Sequence, residues 1–236
     1  MKVNLKINDS PVSVEAGATI LEAAELLDIR IPTLCHMKMD CLNFEPRSGS
    51  CRVCVVEVKG RPNLAPACST PVTEGMEVHT NTLRAINARR TILDLLLSDH
   101  PKDCLICPKN LDCQLQALAQ ELGLHHLLYK GEQSTYNRDL SSKAIARDLD
   151  KCIMCRRCET ACNVIQTVGV LSGVGRGFEA VVAPAGLKPL VETECVFCGQ
   201  CVQACPVGAL TEMDYKYPVW RMLNDPAKTV VVQTAP

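Results

Sequence analysis

The placement of cysteine constrains this chain more than any other feature. The stretch from Cys152 to Cys205 holds two matching runs. The first is Cys152-Ile153-Met154-Cys155-Arg156-Arg157-Cys158-Glu159-Thr160-Ala161-Cys162; the second is Cys195-Val196-Phe197-Cys198-Gly199-Gln200-Cys201-Val202-Gln203-Ala204-Cys205, completed by Pro206. Each has the form C-x2-C-x2-C-x3-C. That is the spacing of paired 4Fe–4S clusters, in which three cysteines of a run hold one cluster and the fourth reaches across to the other. Cysteines three apart on a tight loop can wrap three corners of a cubane. The fourth, carried into the following helical turn, points away from it.

The chain as a whole has 16 cysteines, so a disulfide scaffold is the first alternative. It fits poorly. The cysteines sit in short C-x2-C clusters placed to chelate one centre, and Met1-Lys2-Val3-Asn4-Leu5-Lys6 lacks a signal peptide's apolar core. A reducing, cytoplasmic setting is expected. No apolar run approaches the roughly 20 residues that cross a bilayer, so no transmembrane segment is expected. With 25 basic and 26 acidic residues, nothing points to nucleic acid.

In chain order, Val3, Leu5 and Ile7, then Val12 and Val14, alternate around Asn8-Asp9-Ser10 and predict a β-hairpin. Thr19 followed by Glu22 is a capping-box signature opening a helix on Ile20, Ala23, Ala24 and Leu27. A strand is predicted over Val53–Val58. Hairpin, helix and cysteine-bearing loop in that order are the plan of a β-grasp ferredoxin, expected over residues 1–79. A helix follows from about Thr80, with Leu83, Ile86, Arg90, Leu93 and Leu97 on one mostly apolar face. It leads into His100-x3-Cys104-x2-Cys107-x5-Cys113. Zinc accepts three thiolates and an imidazole, so the residues alone leave zinc and iron–sulfur open. A helix from Gln114 to Leu122, capped by Gly123, closes a small helical unit over 80–129, in which His125 and His126 read as surface residues. Residues 130–142 form a polar connector. The paired-cluster unit spans 143–213, with a hairpin inserted between its runs (Val168–Leu171 and Phe178–Val182), and residues 214–236 form a tail. Gly173, Gly175 and Gly177 are turn residues, since no strand–loop–helix unit surrounds them as a phosphate loop requires.

Several of these motifs carry a resemblance. Cys35-x15-Cys51-x2-Cys54-x13-Cys68, with Ile31-Pro32-Thr33-Leu34 before it and Gly49-Ser50 ahead of Cys51, resembles the N-terminal 2Fe–2S domain of iron-only hydrogenases and of the large iron–sulfur subunit of respiratory complex I. The His100 motif, following that domain, is similar to the His-ligated 4Fe–4S site of the same families. The small diaphorase subunit of NAD-reducing nickel–iron hydrogenases is similar too. The resemblance implies an α+β, multi-module chain with one 2Fe–2S cluster and three 4Fe–4S clusters. Cys35, Cys51, Cys54 and Cys68 would hold the first; His100, Cys104, Cys107 and Cys113 the second. Cys152, Cys155, Cys158 and Cys205 would hold the third, and Cys162, Cys195, Cys198 and Cys201 the fourth. Only Cys41 is left over, and it reads as a buried thiol.

The expected function is an electron relay between a flavoprotein that handles NAD(P)H and a catalytic partner such as a hydrogenase or formate dehydrogenase. The last residues, Val230 to Pro236, look like the entry to the catalytic domain of iron-only hydrogenases, yet no cysteine follows Cys205 to ligate a hydrogen-activating cluster. A stand-alone polyferredoxin is the alternative, and a structural zinc-binding interaction protein a distant one.

Overall fold

The computed structural model describes residues 1–38 and 49–234. Cys41 lies outside the described residues. Strands β1 (Lys2–Ile7) and β2 (Ser10–Glu15) form the expected hairpin. Asn8 and Asp9 both have positive φ, the conformation of a two-residue turn whose twist matches its strands. Leu5, Ile7 and Val14 point inward. Against them lies helix α1 (Ile20–Glu25), which buries Ile20, Leu21, Ala23 and Ala24. Its capping box is present: the Glu22 amide donates to Thr19 Oγ1 at 3.2 Å, and the Thr19 amide donates back to the Glu22 carboxylate.

Strands β3 (Val55–Val58), β4 (Ala65–Pro66) and β5 (Glu77–His79) complete a five-stranded sheet in the order β2-β1-β5-β3-β4. β5 runs parallel to β1; the other pairings are antiparallel. The strand expected from Val53 starts two residues later. Arg52 takes a left-handed φ of 60°, and Val53 and Cys54 belong to the cysteine loop instead.

Helix α2 (Leu83–Asp99) opens at Thr82, whose hydroxyl accepts from the Ala85 amide at 3.1 Å. Its buried face differs from the expected one. Ala85, Arg89, Leu93 and Asp94 are buried, whereas Leu83 and Arg90 are exposed. The cause is polar. The Arg89 guanidinium donates to the Val55 carbonyl and, at 2.8 Å, to the Thr80 carbonyl, while Asp94 accepts from the Leu128 amide at 3.0 Å. Two charged side chains that satisfy backbone groups share the inner stripe with Leu93, and Leu83 is left outside it. Helix α3 (Gln114–Glu121) packs on α2 and ends where expected, with Gly123 at a φ of 64° just beyond the cap. His125 and His126 are exposed.

The connector runs over the surface, tied by Ser134 to Asp99, by the Tyr136 amide to Asp150 and by a bridge between Asp139 and Arg147. Strands β6 (Ile145–Arg147) and β9 (Leu210–Glu212) then pair antiparallel and bring both ends of the double-run segment together. The inserted hairpin exists, but its strands are β7 (Ser172–Val174) and β8 (Val181–Ala183). Val168–Leu171 is not strand, and Phe178 falls in a 3-10 turn. Gly173, expected in the turn, lies in β7. Gly175 makes the turn: a Cβ there would come 2.6 Å from the Glu179 carbonyl oxygen.

After the second run, the helix Lys216–Leu223 lies exposed. One apolar core runs from Leu34 and Val53 through Leu93, Leu115 and Ile153 to Leu190 and Val207, so the three cysteine-bearing segments pack on each other. Among the described residues no helix is long and apolar enough to cross a membrane.

Candidate metal centres

The two runs adopt one backbone plan. In the first, Met154 and Arg156 have positive φ; in the second, Phe197 and Gly199 do. These positions flank the second cysteine of each run. Alternating hand turns successive N–H groups inward, the concave arrangement that receives anions. Each third cysteine then opens a short helix: Cys158 in α4 (Arg157–Thr160), Cys201 in α5 (Gln200–Ala204). The fourth sits beyond that turn. Cys162 lies in the π-helical turn Ala161–Ile165, a form found often at functional sites, and Cys205 caps the end of α5.

This geometry draws the cysteines into crossed groups. Cys162, Cys195, Cys198 and Cys201 line a single small apolar cavity with Ile145 and Leu190. Cys152, Cys155, Cys158 and Cys205 gather beside it. Burial first, then Cys205 and Cys152, push the Cys155 thiol up to about 12, and Cys158 is raised by burial and by Cys155, Cys205 and Cys152. Cys201 is likewise pushed up to about 12 by burial and by Cys195, Cys198 and Cys162. Arg147 adjoins the group in the cavity: its Nε donates to Asp139 at 3.0 Å and its Nη2 to the Lys188 carbonyl at 2.9 Å.

Near the N-terminus, Cys35, Cys51, Cys54 and Cys68 are all buried, with Cys54 Sγ and Cys68 Sγ 3.4 Å apart. Hydrogen bonding to Cys35, then burial, raises Cys51; hydrogen bonds with Cys35 and Cys54 raise Cys68, while the bond from Cys68 holds Cys54 down to about 7. Four thiols so crowded share protons because they cannot all be anionic without a counter-charge.

The third group sits where α2 ends. His100 Nδ1 lies 3.0 Å from the Pro101 carbonyl oxygen, so Nδ1–H is the donor, and the buried Nε2 has no partner. Burial keeps the imidazole below its ordinary pKa, hence neutral near pH 7. A neutral ring fixed through Nδ1 with Nε2 open is the form that ligates metal. Cys104 and Cys107 both raise Cys113, after burial, which brings these three together.

Among the described residues no cysteine is in a disulfide. Nor, among them, do three His, Cys, Asp or Glu side chains converge to hold one metal ion; a cluster with four corners takes its ligands from a wider ring than one ion does. The donors therefore fit iron–sulfur clusters by type, by the grouping of the cysteines and by the open Nε2 of His100.

Lys151 and Gly208 carried no signal in the sequence. A lysine beside a cysteine reads as solvated charge, yet Lys151 is 4% exposed, with Nζ 2.9 Å from Asp103 Oδ2. Burial opposes its charge, and the Asp103 bond together with Cys107 and Asp148 outweighs burial, so it stays charged. Gly208 has the side chains of Cys107, Lys151 and Lys109 against its face.

Residues 1–83 match the family described as a 2Fe-2S iron-sulfur cluster binding domain, residues 89–127 the NADH-ubiquinone oxidoreductase-G iron-sulfur binding region, and residues 189–211 a 4Fe-4S binding domain. The chain is 57% identical to the NADP-reducing hydrogenase subunit HndD of Solidesulfovibrio fructosivorans, over 99% of this chain and 40% of that protein. It is 32% identical to the NADH-ubiquinone oxidoreductase 75 kDa subunit of Reclinomonas americana, over 91% of this chain and 30% of that one. The chain thus spans less than half the length of these curated relatives. A crystal structure of NAD+-reducing NiFe-hydrogenase in the H2-reduced state superposes with a TM-score of 0.79 at 28% identity, covering 89% of this chain and 87% of that chain.

Proposed function

The chain is similar over nearly its whole length to iron–sulfur regions of NAD(P)-linked hydrogenase and NADH-ubiquinone oxidoreductase subunits, and on that premise we propose that it relays electrons between an NAD(P)H-linked flavoprotein and a catalytic partner. One observation carries the reading: fifteen cysteines fall into three groups of four and one of three, each drawn together in space, and His100 precedes the group of three with its Nε2 open. Cys35, Cys51, Cys54 and Cys68 hold a 2Fe–2S cluster in a β-grasp module over 1–79. His100 with Cys104, Cys107 and Cys113 holds a 4Fe–4S cluster in the helical module over 80–129. Two more 4Fe–4S clusters sit in the module over 143–213, one on Cys152, Cys155, Cys158 and Cys205, the other on Cys162, Cys195, Cys198 and Cys201.

Iron–sulfur clusters supply one-electron transfer, which can connect a two-electron flavin to distant chemistry. The chain's own residues do the rest. The thiols would bind the clusters, the buried ones among them (Cys35, Cys51, Cys54, Cys68, Cys155, Cys158 and Cys205) keeping water out. The left-handed loops of the two runs would supply inward-turned backbone N–H groups, and the crossing of Cys162 and Cys205 would fix the gap between two centres. A hydrogenase or formate dehydrogenase is the proposed destination.

Anaerobic purification of the native complex, with flavin and iron analysis, tests this. A flavoprotein should copurify, and NAD(P)H should reduce the chain through it. A chain that purifies alone and stays oxidised when NAD(P)H and that flavoprotein are added is instead a free polyferredoxin, and the relay is wrong.

A further inference from the structure

Lys151 lies where two cysteine groups meet. It precedes Cys152 in sequence, but its side chain turns toward the group at the end of α2. Its Nζ pairs with Asp103 Oδ2 at 2.9 Å and Asp148 Oδ2 at 3.4 Å, and Asp148 pairs in turn with Arg138 Nε at 3.4 Å. Asp103 immediately precedes Cys104. The lysine stem is tightly placed: a Cβ on Gly208 would stand 2.6 Å from Cys107 Sγ and 3.3 Å from Lys151 Cδ. Backbone, thiol and stem therefore meet at one point, with room for no further atom.

We propose that Lys151 is a positioning residue that raises the reduction potential of the centre held by His100, Cys104, Cys107 and Cys113, by fixing a buried positive charge beside Cys107. The inference rests on reading that donor group as a 4Fe–4S site. When the centre accepts one electron from a donor such as dithionite, its charge falls by one, and a nearby fixed cation favours that form. Asp103 and Asp148 aim the ammonium and partly offset it, so the two signs must act oppositely. A clamp that only ties Asp103 to the segment before Cys152 would not produce opposite shifts.

A redox titration of the cluster-loaded chain, read by pulsed electron paramagnetic resonance on the signal with 14N coupling from His100, separates these roles. Lys151→Met keeps most of the stem and should shift the midpoint downward. Lys151→Arg should restore it toward wild type. Asp148→Asn should shift it upward, and the 2Fe–2S signal should stay fixed in all three. An unmoved midpoint in Lys151→Met, or shifts of the same sign in Lys151→Met and Asp148→Asn, overturns the proposal. If Lys151→Met fails to hold the centre, the sign of the Asp148→Asn shift decides. A wild-type chain lacking any 14N-coupled cluster signal would instead contradict the site assignment on which the proposal rests.

Discussion

Each group of crowded thiols is a problem of charge before it is a binding site. Cys155 and Cys201 are held up to about 12, so near pH 7 they carry protons that a metal must displace. Iron would supply the positive charge that lets four thiolates stand together, and a neutral His100 ligand would lower that demand by one charge in its own group. Close approach is the other requirement at this scale. Gly208→Ala should push its new methyl into Cys107 Sγ and lower bound iron by about four per chain, the content of one 4Fe–4S site, read by iron analysis. Iron unchanged from wild type would show that Cys107 is not held at this contact. The ligand spacings were legible because cysteine is rare and its intervals are fixed by cluster geometry. Lys151 was not, because its burial depends on Asp103, which lies 48 residues earlier in the chain.

Among elements, the two cysteine loops show how much backbone work the spacing conceals. A non-glycine residue in the left-handed region costs roughly 1–2 kcal/mol, and Met154, Arg156 and Phe197 all sit there. Only Gly199 announces it in the sequence. The capping box of α1 was legible because both partners are local. The buried face of α2 was not, since Arg89 is buried by carbonyls from β3 and Thr80 rather than by any helical periodicity. Arg89→Leu should therefore leave the Val55 and Thr80 carbonyls unpaired and destabilise the docking of α2 by about 2–6 kcal/mol, at roughly 1–3 kcal/mol per orphaned group. Melting of the loaded chain, followed by visible absorbance, should drop for Arg89→Leu and not for exposed Arg90→Leu. Equal melting of the two would contradict the docking role. The inserted hairpin was legible in kind, but its strand limits moved because glycine served once as strand and once as turn.

For the whole molecule, the order of the cysteine groups along the chain reads directly, but their neighbourhood does not. Leu34, Leu93, Ile153 and Val207 come from distant segments and meet in one core. The Gln114 amide donates to the Pro206 carbonyl at 2.9 Å, which joins α3 to the end of the second run. Cys201 lies close enough to Cys158 to raise it, so the two crossed groups are neighbours. Such packing suits a conductor, in which centres must stay at fixed separations while electrons pass.

The central claim is that four donor groups hold four clusters. Mössbauer spectroscopy with iron and acid-labile sulfide analysis on the anaerobically purified chain tests it most directly. The account predicts roughly fourteen irons and as many sulfides per chain, divided between one 2Fe–2S and three 4Fe–4S sites. Iron near two per chain, or zinc in place of iron, would contradict it.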